Sequence, residues 1–189
     1  MQENLPPYVG GYDFQMSTIS RSSTMREVLE VYPGAQRALF RRYHIGGCSS
    51  CGFQPTETLE GLTQRNGLKM EEVLDHIKTS HQQDEKFFVS PIELKKNPSL
   101  RVLDIRTREE HEAVSIPGSV LMSQKTMQEI LSRWPRNEPF VIYDHQGKQC
   151  LDAAAYFAGH GFEQVRCLRG GIDAWAQEVD TSMPRYTLG

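Results

Sequence analysis

Four short apolar runs, FFV, RVLDI, PFVIY and QVRCL, recur through the second half of this chain. Between and after them lie segments with helical spacing: SPIELKKN, TREEHEAV, TMQEILSRW, the run from Cys150 to His160, and, following QVRCL, IDAWAQE. This alternation is the strongest constraint on the fold. Strands made of near-continuous Val, Ile, Leu and Phe bury both faces, and strands separated by helices cannot pair as tight hairpins. The expected fold is therefore α/β, a doubly wound parallel sheet covered by helices on both sides.

The first half has a different rhythm. Residues 1–22 are rich in Gly, Pro, Ser and polar groups and are expected to form an extended arm carrying Tyr8, Tyr12 and Phe14. Residues 23–80 read as a small all-helical domain. TMRE places Thr24 as an N-cap with Glu27 three residues on, a capping box, followed by Val28, Leu29 and Val31. PGAQRALFRRYH continues with Leu39, Phe40 and Tyr43 as inward candidates. TETLEGLTQRNG turns Leu59 and Leu62 inward, and KMEEVLDHIKTSH does the same with Met70, Val73, Leu74 and Ile77. The two are separated by a glycine C-cap at Gly67. HQQDEK, residues 81–86, is the expected linker to the α/β domain at 87–189.

Charge and composition exclude some partners. The 189 residues hold 21 Lys and Arg against 24 Asp and Glu, with no basic stripe able to neutralise several phosphates, so no nucleic acid is expected. No window approaches the ~20 apolar residues of a membrane span, and MQENLPPYVGG lacks the basic start and apolar stretch of a secretory signal. A cytoplasmic protein without a membrane partner is expected. In that setting Cys48, Cys51, Cys150 and Cys167 point to free, metal-binding or redox-active thiols rather than a disulfide framework.

VIYDHQGKQC runs a buried strand into a polar loop and then into a helix, a place where unpaired N–H groups gather around an anion. Asp144 opens that loop, followed by His145, Gln146, Gly147, Lys148 and Gln149; the only thiol, Cys150, comes at its end.

LDIRTREEHEAVSIPGS, VIYDHQGKQ and GFEQVRCLRGGIDAW, in this order and spacing, resemble the rhodanese family from Phe88 to Tyr186. The resemblance implies a rhodanese-like sheet whose active loop joins a central strand to a helix N-terminus. In active members a cysteine that carries a persulfide directly follows the VIY-type strand; here Asp144 stands in that position. Gln149 stands where an arginine is frequent, and Cys150 where a serine is frequent. A carboxylate cannot attack a sulfane sulfur or hold a persulfide, so the loop is expected to be filled by its own aspartate. Cys150 has two readings. One is a thiol of lowered pKa at the first helical turn, helped by Lys148 and His145; the other is a small packing residue. Cys167 is expected in the core. Asp104 and Arg106 are expected to pair at a strand end, Gly170, Gly171 and Trp175 to form a turn and a core anchor beside the loop, and His111 to be solvated.

Cys48 and Cys51 form a CxxC, with His44 four residues before it. That spacing suits a dithiol–disulfide pair, or half of a zinc or iron–sulfur site for which His44 is available and a second copy in a homodimer or the distant cysteines would have to supply the rest, or a merely structural pair. Residues 24–77 also resemble a small helical CxxC family of unassigned function that accompanies redox and hybrid-cluster proteins. Two functions follow. One is a binding or sensing module working with a sulfur- or redox-pathway protein; the other is a sulfurtransferase that accepts sulfur on Cys150 or on the Cys48/Cys51 pair. A phosphatase would need a cysteine at the loop's start and a longer, arginine-bearing loop, and has neither.

Overall fold

A computed structural model describes residues 19–46 and 52–185. The expected arm up to residue 18, the Cys48/Cys51 pair and Tyr186 lie outside the described residues. Helices α1 (Met25–Val31), α2 (Ala35–Tyr43), α3 (Leu59–Arg65) and α4 (Met70–Asp84) make up the helical part. The α/β part follows in the order β1 (Phe88–Val89), α5 (Pro91–Lys96), β2 (Arg101–Asp104), α6 (Arg108–Ala113), β3 (Val120–Leu121), α7 (Gln124–Arg133), β4 (Phe140–Tyr143), α8 (Cys150–Gly159), β5 (Val165–Leu168) and α9 (Gly171–Glu178).

The sheet is five-stranded and parallel, in the order β1-β5-β4-β2-β3. Successive side chains of a strand point to opposite faces, and β4 sorts accordingly. Phe140 and Ile142 join Leu103, Ile130, Leu151, Phe157 and Cys167 on one face, whereas Val141 and Tyr143 join Leu94, Leu168, Ile172 and Trp175 on the other. Strand β3 went unread in the sequence because it is only two residues long and half in solvent, with Val120 exposed.

Local chemistry starts the helices. The Thr24/Glu27 capping box is present, and equivalent boxes cap α5 (Ser90/Glu93) and α6 (Thr107/Glu110). Gly67 takes φ +64° after α3, and the Leu68 N–H reaches back to Thr63 O at 2.9 Å. Met25, Val28, Leu39, Leu59, Leu62, Val73 and Ile77 form the helical core.

Two expectations need correction. Phe40 does not turn inward; it is 47 % exposed, because α2 directs Ala35, Ala38 and Leu39 to the core and Phe40 falls beyond that face. The KMEEVLDHIKTSH helix runs past His81 into the stretch expected as the linker, 81–86. Helix α4 continues to Asp84, and a 3-10 turn over Glu85–Phe87 leads into β1. The reason is tertiary: Asp84 is buried and ion-paired to Arg37 at 2.6 Å.

Replacing Leu39 by Ala is expected to lower unfolding free energy in urea by about 2–5 kcal/mol, and Phe40→Ala to change it by less than about 0.5 kcal/mol.

Candidate functional site

Strand β4 ends at Tyr143, and the chain turns at the carboxyl edge of the sheet, where ligands of open α/β sheets bind. Residues 144–149 connect it to α8. Asp144 is 4 % exposed, and its carboxylate sits inside its own loop. Oδ1 accepts the N–H of Gln146 at 2.8 Å and that of Gly147, and Oδ2 accepts the N–H of Cys150 at 2.8 Å. Three N–H groups of the loop and the first turn of α8 are thus engaged by one side chain.

The loop rests on the β5–α9 turn. Ile172 N–H donates to Asp144 O at 3.0 Å and Asp173 N–H donates to His145 O at 3.1 Å. Gly147 has φ +76°, and a Cβ there would lie 2.7 Å from Gly170 N and 2.8 Å from Leu168 O. Only glycine combines that conformation with that approach. The expected turn at Gly170 and Gly171 beside the loop is therefore present, and Trp175 packs in the core below it.

A second carboxylate, Asp104 at the end of β2, fixes the strand that carries the loop. It accepts Arg106 Nε at 3.0 Å and Nη2 at 2.6 Å, accepts the Tyr143 hydroxyl at 2.7 Å, and meets His111 Nδ1 at 2.8 Å. The Tyr143 hydroxyl also pairs with Ser119 Oγ at 3.0 Å and receives the Ile116 N–H at 3.3 Å. Burial acts to raise the Asp104 carboxyl, but hydrogen bonds from Arg106, Tyr143 and His111 outweigh it and hold the group below its ordinary value. Burial drives the Tyr143 hydroxyl well above its own. The Asp104–Arg106 pair is as expected. His111 is not simply solvated; it packs onto Asp104 with its side chain 21 % exposed. Tyr143 went unnoticed in the sequence, although a tyrosine ending an otherwise aliphatic run was the available signal.

Of the two readings of Cys150, the geometry matches the packing residue. Cys150 is fully buried and faces Cys167 in the core between α8 and the sheet. Its hydrogen bond with Cys167, its burial and the charge of Asp144 push the thiol well above its ordinary value. His145 cannot help it. That side chain is 8 % exposed and lines a shallow cleft with Val114, Ile172, Asp173 and Ala176, on the sheet face opposite Cys150. Gln146, Lys148 and Gln149 are exposed on the loop's outer side, and Cys167 is buried.

His44 caps α2 in the left-handed conformation at φ 57°, with its exposed ring edge-on to Phe40. Among the described residues, no group of three or more His, Cys, Asp or Glu side chains could hold a metal ion. None of their helices is long and apolar enough to cross a membrane.

The family described as Rhodanese-like domain matches residues 90–178, and thiosulfate sulfurtransferase GlpE of Pseudoalteromonas translucida (strain TAC 125) is 30% identical over 94 residues, covering 50% of this chain and 90% of that protein. The chain belongs to the rhodanese-like family. Its rhodanese-like domain is the C-terminal part; the helical part lies outside the family match. The adenylyltransferase and sulfurtransferase UBA4 of Debaryomyces hansenii is 21% identical over 170 residues, which cover 82% of this chain and 38% of that protein. Among solved structures, the human single domain sulfurtransferase TSTD1 aligns at TM-score 0.43 and 23% identity, over 49% of this chain and 96% of that one.

Three outcomes are expected of this rhodanese-like site. Gly147→Ala lowers stability by about 2–4 kcal/mol in chemical denaturation, since the new methyl meets backbone on the β5–α9 turn. Asp104→Asn costs about 3–5 kcal/mol at neutral pH by breaking the buried Asp104–Arg106 ion pair. Because the folded Asp104 value lies below the unfolded one, its contribution is present above the unfolded carboxylate range and lost as pH falls through the folded value. The stability gap between wild type and Asp104→Asn therefore narrows on acidification. Cys150 and Cys167 stay unlabelled by iodoacetamide at neutral pH in the native protein and react once urea unfolds it, as peptide mass spectrometry would read.

Proposed function

We propose that the rhodanese-like domain carries no transferable sulfur on its active loop and serves as the binding or sensing part of a protein working beside sulfur- or redox-pathway enzymes. Its partner in the same chain is the helical module with Cys48 and Cys51, read as a dithiol pair. The observation that supports this reading is the carboxylate of Asp144, held by the N–H groups of Gln146, Gly147 and Cys150.

Transfer from thiosulfate needs a thiolate that attacks the sulfane sulfur, expels sulfite and holds a persulfide until an acceptor such as cyanide removes the outer sulfur. Asp144 offers no sulfur to form that bond. Cys150, the nearest thiol in sequence, is sealed in the core and kept protonated by its surroundings. The thiosulfate sulfurtransferase named for the GlpE relative is thus not the activity favoured here, although loop and sheet are of that family's kind.

With thiosulfate and cyanide, the purified chain is expected to make thiocyanate at the level of a protein-free blank. Asp144→Cys, which places a thiol among the loop donors, is expected to exceed that blank by at least about tenfold and to gain one sulfur atom at the substituted position by mass spectrometry. Wild-type turnover that survives Cys150→Ser would overturn the reading. A sulfur adduct on the Cys48/Cys51 peptide after thiosulfate would instead favour the sulfurtransferase alternative, with that pair as acceptor. Stoichiometric zinc or iron in protein purified without chelator, lost in Cys48→Ser, would replace the dithiol reading of the pair with a metal site.

A further inference from the structure

We infer that the helical module is the outer support of the 144–149 loop, acting through two positioning residues, Arg37 and Arg169. This goes beyond the proposed function and does not depend on it. Arg37, on α2, donates from Nη2 to Asp84 Oδ2 at 2.6 Å and from Nη1 to Asp152 Oδ1 at 2.5 Å. Asp84 closes α4, and Asp152 lies in the first turn of α8. That turn also contains Cys150, whose N–H holds Asp144.

The Arg37–Asp84 half of this join is buried, whereas the Asp152 side chain that reaches α8 is 74 % exposed. The side chains of Arg37 and Asp84 are 13 % and 8 % exposed. A side chain at Gly34 would run into the Asp84 carboxylate and the Arg37 guanidinium, so the glycine of the YPG turn makes room for both. Burial pushes the Asp84 carboxyl up and Arg37 opposes this, so the arginine is what keeps a charge tolerable there.

The second strut meets the other wall of the loop. Arg169 Nη2 donates to Glu85 Oε2 at 2.7 Å, directly after α4, and its guanidinium lies 4.5 Å from the centre of the Phe88 ring. Arg169 immediately precedes Gly170, on which Gly147 rests. The two arginines therefore tie the end of α4 to the two segments that shape the loop, the first turn of α8 and the β5–α9 turn.

Hydrogen exchange on the full chain tests this. Asp152→Asn leaves the Arg37–Asp84 pair whole, and Arg37→Gln with Asp84→Asn leaves Asp152 whole while removing the same strut. Each is expected to speed exchange of the Gln146, Gly147 and Cys150 amides by about three- to tenfold, with Val141 and Ile142 of β4 within about twofold of wild type. Arg169→Glu is expected to give a smaller rise at the Gly147 amide, reversed by adding Glu85→Arg. Arg21→Gln, whose pairs with Glu60 and Glu71 stay inside the helical module, should leave the loop unchanged. Unaltered loop exchange in both strut variants, or equal acceleration at Val141 and Ile142, would overturn the inference. Thiocyanate assays of Asp144→Cys are read separately, so failure here is distinguishable from failure of the proposed function.

Discussion

Strand β4 is covered on both faces, and the site follows from that constraint. Phe140, Val141, Ile142 and Tyr143 have no solvent side, so the chain emerges only at the strand's carboxyl end and must place its next polar residue there. Asp144 is that residue. Its carboxylate leaves water because three backbone N–H groups, two in its own loop and one at the first residue of α8, turn a costly burial into a satisfied one.

The two buried aspartates near this edge do different work. Asp104 is anchored by side chains, chiefly Arg106 and the Tyr143 hydroxyl, and locks β2 to the last residue of β4. Asp144 is anchored by main chain, within its own loop. A carboxylate with a guanidinium partner is a structural joint; one held by main-chain N–H groups shapes the loop around it. In this rhodanese-like domain the first kind positions the second.

The helical part is fastened to the same edge rather than tethered at a distance. Helix α4 carries its final turn to a buried ion pair, and the contacts of Arg37 and Arg169 fall on the segments flanking Asp144. The loop's rigidity is thus shared between the rhodanese-like domain and residues from outside its family match.

Much of this was legible from local patterns, because those patterns arise from near-neighbour physics. Strand–helix alternation, the Thr24 capping box, the Gly67 cap, the Asp104–Arg106 pair and the arrival of Asp144 at a helix N-terminus depend on residues a few positions apart, or on the family resemblance of three motifs. Contacts between distant segments were not legible. The direction of the Cys150 thiol, the use of His111 by Asp104, the outward turn of Phe40 and the burial of Asp84 all depend on which elements pack together, and no periodicity encodes that. The amino-acid order alone determined that a carboxyl group would stand where a sulfur carrier is expected; tertiary packing decided that the Cys150 thiol would face Cys167 in the core, since α8 must bury its inner face against β5.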